Sequence, residues 1–108
     1  MKGKIVLIPF PFTDLTTTKL RPALVLFEGQ KDVVVAFISS RVPQRPAQTE
    51  IVVNKTHPEF KLTGLKSPSV IRLDKVATIS KDLILGEIGD KLKKETNTKL
   101  SKTYKFRT

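Results

Sequence analysis

Two apolar runs separated by five residues constrain this chain more than any other feature. Ala23–Phe27 (ALVLF) and Val33–Ile38 (VVVAFI) are rich in β-favouring residues, and the polar segment Glu28–Asp32 joins them. Two such runs with a short polar turn between them predict a β-hairpin. Antiparallel pairing then sets the start of the first strand beside the end of the second. Arg21, followed by Pro22, precedes the first strand, and Ser39 and Ser40 follow the second. Arg21 is therefore expected near Ser39 or Ser40, at one end of a small sheet. A guanidinium beside a hydroxyl is a candidate anion or phosphate site. The plainer alternative is a solvated arginine at a strand start and a serine at a strand end, and spacing alone leaves both open.

The rest of the chain reads as further short strands. Ile5–Phe10 is an apolar run whose Pro9, with Pro11 beyond it, removes ladder donors, so pairing there must weaken or lie on an edge. FTDLTTTK, from Phe12 to Lys19, is a polar loop able to lie over a site. RVPQRPAQ, from Arg41, is a second loop and brings Arg41 and Arg45 to the end of the sheet where the serines stand. Glu50–Val53 is a short strand, and Asn54–Gly64 has no period and reads as loop. Alternation around Val70, Ile71 and Leu73 marks another strand, and Val76–Ile79 a further one. Ser80 is placed to cap a single helical turn in SKDLI. Leu85–Ile88 closes the set, with Gly86 and Gly89 as breakers. From Asp90, a candidate N-cap, the period changes. Leu92, Thr96, Leu100 and Tyr104 recur every four residues, predicting an amphipathic helix to about residue 104 whose other face carries lysines. Many short strands and one late helix indicate a single domain over residues 1–108: a small, mainly β barrel (about 3–89) with a C-terminal α-helix (about 90–104).

Charge and missing chemistry narrow the function. Twenty Lys and Arg against ten Asp and Glu leave a net charge of +10, which favours nucleic acid or an acidic protein as partner. There is no cysteine, which excludes disulfides and thiolate catalysis and fits a reducing cytoplasm. With one histidine, His57, no zinc site of the usual kind can be assembled. There is no Walker or dinucleotide-binding motif and no paired carboxylate for metal or glycoside chemistry. No cofactor or metal is expected, and no apolar run is long enough to span a membrane.

Taken together, GKIVLIPFPFTDL, KLRPALVL, VVVAFISS and GLKSPSVIRLDKVATIS resemble, in this order, the MazF/PemK toxins of type II toxin–antitoxin systems. The resemblance covers roughly residues 3–90 and is weakest in the C-terminal tail. It implies an SH3-like β barrel of the CcdB/MazF type with a C-terminal helix, usually a homodimer. It also implies a metal-independent endoribonuclease (mRNA interferase) acting on single-stranded RNA, and a cognate acidic antitoxin of the MazE kind. The family's catalytic arginine, in its RP motif, corresponds to Arg21. Its catalytic threonine corresponds to Ser39, which keeps the hydroxyl but loses the methyl and the stiff side-chain torsion of a β-branched residue. Gly3-Lys4 stands where the family usually has Gly-Asp.

The implied reaction is attack of a ribose 2′-hydroxyl on the adjacent phosphorus, leaving a 2′,3′-cyclic phosphate and a 5′-hydroxyl. Arg21 would stabilise the transition-state charge and Ser39 would hold a phosphate oxygen. A guanidinium is a poor base, so His57, Asp14 and Glu50 are the remaining candidates for proton transfer. Lys19, Arg41 and Arg45, with Ser40, are candidates for RNA phosphate contacts, and Phe12 for base stacking. Two other functions remain compatible with such a barrel: a CcdB-like poison of DNA gyrase, and an inactive nucleic-acid or protein-binding module.

Overall fold

A computed structural model of the chain describes residues 1–10 and 19–92. The expected C-terminal helix beyond Leu92, and the loop residues Phe12 and Asp14, lie outside them. The described residues form one antiparallel sheet of six strands: β1 (Lys4–Phe10), β2 (Lys19–Glu28), β3 (Asp32–Ser39), β4 (Glu50–Val53), β5 (Ser69–Ser80) and β6 (Gly86–Asp90). Their order across the sheet is β4-β5-β3-β2-β1-β6, so the expected hairpin β2–β3 occupies its centre.

Alternation along these strands buries both faces. Ile5, Leu24, Leu26, Ala36, Ile38 and Ile71 belong to one apolar cluster, closed by Leu92. Val6, Ile8, Ala23, Val25, Val33 and Val35 belong to a second, against which Leu83 and Ile84 pack. Neighbouring residues such as Leu24 and Val25 therefore enter different cores, as a period of two requires. Each fully buried Val, Leu or Ile contributes about 1.5–3 kcal/mol.

Three irregularities curl the sheet. β2 carries an extra residue at Leu26, between Val25 opposite Val35 and Phe27 opposite Val34. β6 carries one at Ile88 against β1. The largest is in β5: Ala36 faces Val76 but Phe37 faces Arg72, so Leu73, Asp74 and Lys75 bulge out of the ladder. Extra residues bend a strand and raise its twist. Beyond the bulge β5 pairs with β3 and β4 at once, Ile71 facing both Ile38 and Ile51.

Several expected boundaries are corrected. The strands around Val70 and Val76–Ile79 are one strand, β5, because the polar break at Asp74-Lys75 is a bulge within a continuous chain direction. β2 begins at Lys19, so Arg21 and Pro22 lie inside it, opposite Ile8 and Leu7. Phe60–Thr63 in the supposed loop is one helical turn, α1, too short to show a period. Asp90 ends β6, and its carboxylate pairs with Lys4 Nζ at 2.8 Å; the helix it is expected to cap lies outside the described residues. Gly86 opens β6, whereas Gly89 lies within it and does not break it. Gly89 is required there by contact: a Cβ would collide with the backbone of Leu62 and Thr63 in α1. Gly64, which ends α1 at φ +72°, meets Ile88 in the same way.

Other expectations hold. Ser80 caps a single 3-10 turn, Lys81–Leu83, its side chain accepting from the Asp82 N–H at 3.2 Å. Pro9 lies where β6 has ended: its last partner on β1 is Leu7, so from Ile8 onward no strand of the described residues pairs with that flank of β1.

Candidate functional site

The ladder between the two central strands builds the site. Ala23 faces Phe37, and the same register continued by two residues sets Arg21 opposite Ser39. A cleft of about 440 Å³ opens at this end of the sheet, and both residues line it. Phe10, Phe37 and Ile38 supply its apolar wall. Among the described residues, Arg21, Arg41, Arg72 and Lys75 supply four cations, and no carboxylate of the described residues lines it. Cations gathered in a concave surface without an acid among them concentrate positive potential where an anion can enter.

Ser39 is oriented by its own loop. Its hydroxyl oxygen accepts the Arg41 N–H at 3.1 Å, a contact two residues along the chain that serine readily makes after a strand. This contact restores part of the orientation that a β-branched residue would have had. It also leaves the hydroxyl proton to be donated to a ligand. Arg41 thus contributes its backbone to Ser39 and its side chain to the cleft wall.

Arg72 reaches the cleft from β5. It sits at the edge of the bulge, opposite Phe37 on one side and Glu50 on the other. Glu50 Oε2 lies 3.7 Å from Arg72 Nε, an ion pair longer than a hydrogen bond, and Nε is buried without a hydrogen-bond partner among the described residues. The other Glu50 oxygen accepts the Ala47 N–H at 2.9 Å. Glu50 therefore supports Arg72 from behind and does not line the cleft. Phe10 and Phe37 meet edge to face, with ring centroids 5.6 Å apart and planes at 63°. Phe10 remains 41% exposed.

A second cleft, of about 340 Å³, adjoins the first. Arg21 and Ile38 line both, and Ser40 opens into the second.

The structure thus brings Arg21, Ser39 and Arg41 into one cleft and Ser40 into its neighbour. Lys19, at the exposed start of β2, and Arg45, exposed in the loop after β3, line neither. His57 also lines neither: it shapes the turn before α1, Nδ1 accepting the Glu59 N–H at 3.0 Å. Sequence reasoning missed Arg72, Lys75 and Phe10. Arg72 carried a readable signal, a cation inside the apolar alternation SVIRL, whereas Lys75 and Phe10 depend on the bulge and on the end of β1. No three His, Cys, Asp or Glu side chains among the described residues group as metal ligands.

Comparison with known proteins bears on the family and the fold. A family model described as PemK-like, MazF-like toxin of type II toxin–antitoxin system matches residues 1–105. Among solved structures, the chain is similar to the Mycobacterium tuberculosis toxin MazF-mt6, with TM-score 0.71 and 23% identity over 97% of this chain and 99% of that one. It is similar to a mycobacterial endoribonuclease in complex with its cognate antitoxin, with TM-score 0.69 and 15% identity over 100% and 97%. A further M. tuberculosis toxin aligns with TM-score 0.65 and 25% identity over 92% and 93%. The search of curated proteins returned no match.

Proposed function

We propose an activity for this chain, which belongs to the PemK-like, MazF-like toxin family of type II toxin–antitoxin systems: it is an endoribonuclease that cuts single-stranded RNA without a metal ion. The observation that carries the reading is the convergence of Arg21, Arg41, Arg72 and Lys75 with Ser39 on one cleft that no carboxylate among the described residues lines. The endoribonuclease among the structural neighbours supports the same class.

RNA carries its own nucleophile, so the protein has to position, neutralise and move protons. The 2′-oxygen attacks the adjacent phosphorus and its proton passes to a base. The bond from phosphorus to the 5′-oxygen breaks, and that oxygen gains a proton. The products are a 2′,3′-cyclic phosphate and a 5′-hydroxyl. Arg21 and Arg72 donate to the non-bridging oxygens as charge builds on them. Ser39, with its oxygen held by the Arg41 N–H, donates its proton to the same phosphate. Arg41 and Lys75 hold flanking phosphates, and a base packs on Phe10. Glu50 is engaged by Ala47 and Arg72, and His57 lines neither cleft. The partners we infer are a second copy of the chain and an acidic antitoxin whose charge complements the net +10, and the compartment is the cytoplasm. The neighbour solved in complex with its cognate antitoxin supports the antitoxin partner.

The test is incubation of the protein with several long single-stranded RNAs in EDTA, with analysis of fragment ends and an Arg21→Ala control. Discrete fragments ending in cyclic phosphate, absent with Arg21→Ala, are expected. Intact RNA throughout would overturn the reading and turn attention to gyrase.

A further inference from the structure

The second cleft has a different chemistry from the first. Leu7, Pro22, Leu65 and Ile88 give it an apolar body, and Ser40, Lys66 and Ser67 give it polar groups. Arg21 stands on the wall it shares with the catalytic cleft. A volume of about 340 Å³ lies within the range of small-ligand sites.

Its walls are preformed. Leu65 and Ile88 pack on the first apolar cluster. Gly64 and Gly89 let α1 and β6 approach to backbone contact, which fixes Ile88 against the end of α1. On the opposite side the Ser69 hydroxyl donates to the Ser67 carbonyl at 2.9 Å, closing a turn before β5. Ser69 is buried, whereas Lys66 and Ser67 are exposed at the mouth.

We propose that this second cleft receives the nucleobase next to the cut, and that Lys66 and Ser67 set which base is accepted. The inference rests on the ribonuclease reading of the first cleft. A phosphate held at Arg21 places one neighbouring nucleoside on each side of that residue, so a strand entering the first cleft continues into the second. The apolar walls take the flat faces of a base. A hydroxyl and an ammonium at the mouth suit the acceptors on its edge, which differ between bases. With Arg21 and Lys66 as its cations and no acid among the described residues lining it, the second cleft is compatible with the charge of the strand.

The experiment sequences the cut sites in an RNA pool randomised around the scissile bond, using the wild type, Lys66→Ala, Ser67→Ala, Ser67→Phe and Lys55→Ala. Residues 66 and 67 are exposed, so these changes leave the core intact. In Lys66→Ala, Ser67→Ala and Ser67→Phe, base preference at one position beside the cut is expected to change by about tenfold. Lys55 lines neither cleft, and Lys55→Ala is expected to keep the wild-type preference. An active wild type whose preference survives all three cleft changes would overturn the second cleft alone. A wild type that cuts nothing would overturn both readings.

Discussion

The smallest unit with a chemical consequence is the Ser39 side chain. Its oxygen accepts the Arg41 N–H at 3.1 Å, so its rotamer is set by the chain that follows and its proton faces no competing acceptor from that bond. Removing the hydroxyl should cost about a hundredfold in turnover, the scale of losing one donor to a transition-state oxygen. Ser39→Ala is therefore expected to cut RNA about a hundredfold more slowly, while Ser39→Thr keeps or raises the rate; single-turnover kinetics check both. Equal rates for alanine and serine would remove Ser39 from the chemistry. Arg72 shows the opposite limit of residue-scale reading. Its position inside SVIRL marks it as unusual, but its place in the cleft follows from the bulge beside it and from Glu50 at its back.

At the scale of elements, the contacts that hold the ends of the sheet make two predictions. Gly89 of β6 lies against the Leu62–Thr63 backbone, and Gly86 in the same strand has nothing within 4 Å of an added Cβ. Gly89→Ala forces β6 and α1 apart and should cost about 3 kcal/mol, a fall in Tm of more than roughly 10 °C, whereas Gly86→Ala should change it little. Thermal unfolding of the two variants measures the contrast. The second prediction concerns Glu28, at the end of β2. Lys81 Nζ donates to it at 2.8 Å and the Met1 ammonium lies at 2.9 Å. The hydrogen bond from Lys81, then that from the ammonium, hold its carboxyl down to about 2, against an ordinary 4.5. A depressed carboxylate stabilises the fold above its unfolded value, and that contribution disappears as pH falls towards the folded one. Stability should therefore drop between pH 4.5 and about 2, and Glu28→Gln should show a smaller drop over that window. The pair is exposed, so the difference is small and is best read as Tm against pH at low salt.

For the molecule as a whole, the dominant quantity is charge. A net +10 on 108 residues attracts any polyanion, but the four cations of the cleft are the ones that should meet phosphates at the site. Each phosphate neutralised on a single strand contributes about −0.7 to the slope of log affinity against log salt. Binding of a 2′-deoxy oligonucleotide, which lacks the nucleophile and is not cut, should therefore show a slope of about −3. Arg41→Ala should make it shallower by about 0.7. Anisotropy titrations across a salt series give both numbers, and a slope near zero would reject an electrostatic grip.

The sequence by itself determined the central hairpin, the β class and the cationic character. These follow from local alternation, from turn chemistry and from composition, all of which are carried by neighbours in the chain. It also set Arg21 near Ser39 or Ser40, because antiparallel register converts positions in a sequence into positions in space, but left open which serine it meets. The tertiary structure decided which other groups join them. Arg72 and Lys75 depend on a bulge in β5, and Phe10 depends on where β6 ends along β1. The same holds for what was left out: Arg45 and His57 have suitable chemistry, but the paths of their loops set them outside both clefts. A bulge or a strand end is settled by competition between the packing of two cores and the hydrogen-bonding of strands distant in sequence. No local pattern of residues encodes the outcome of that competition.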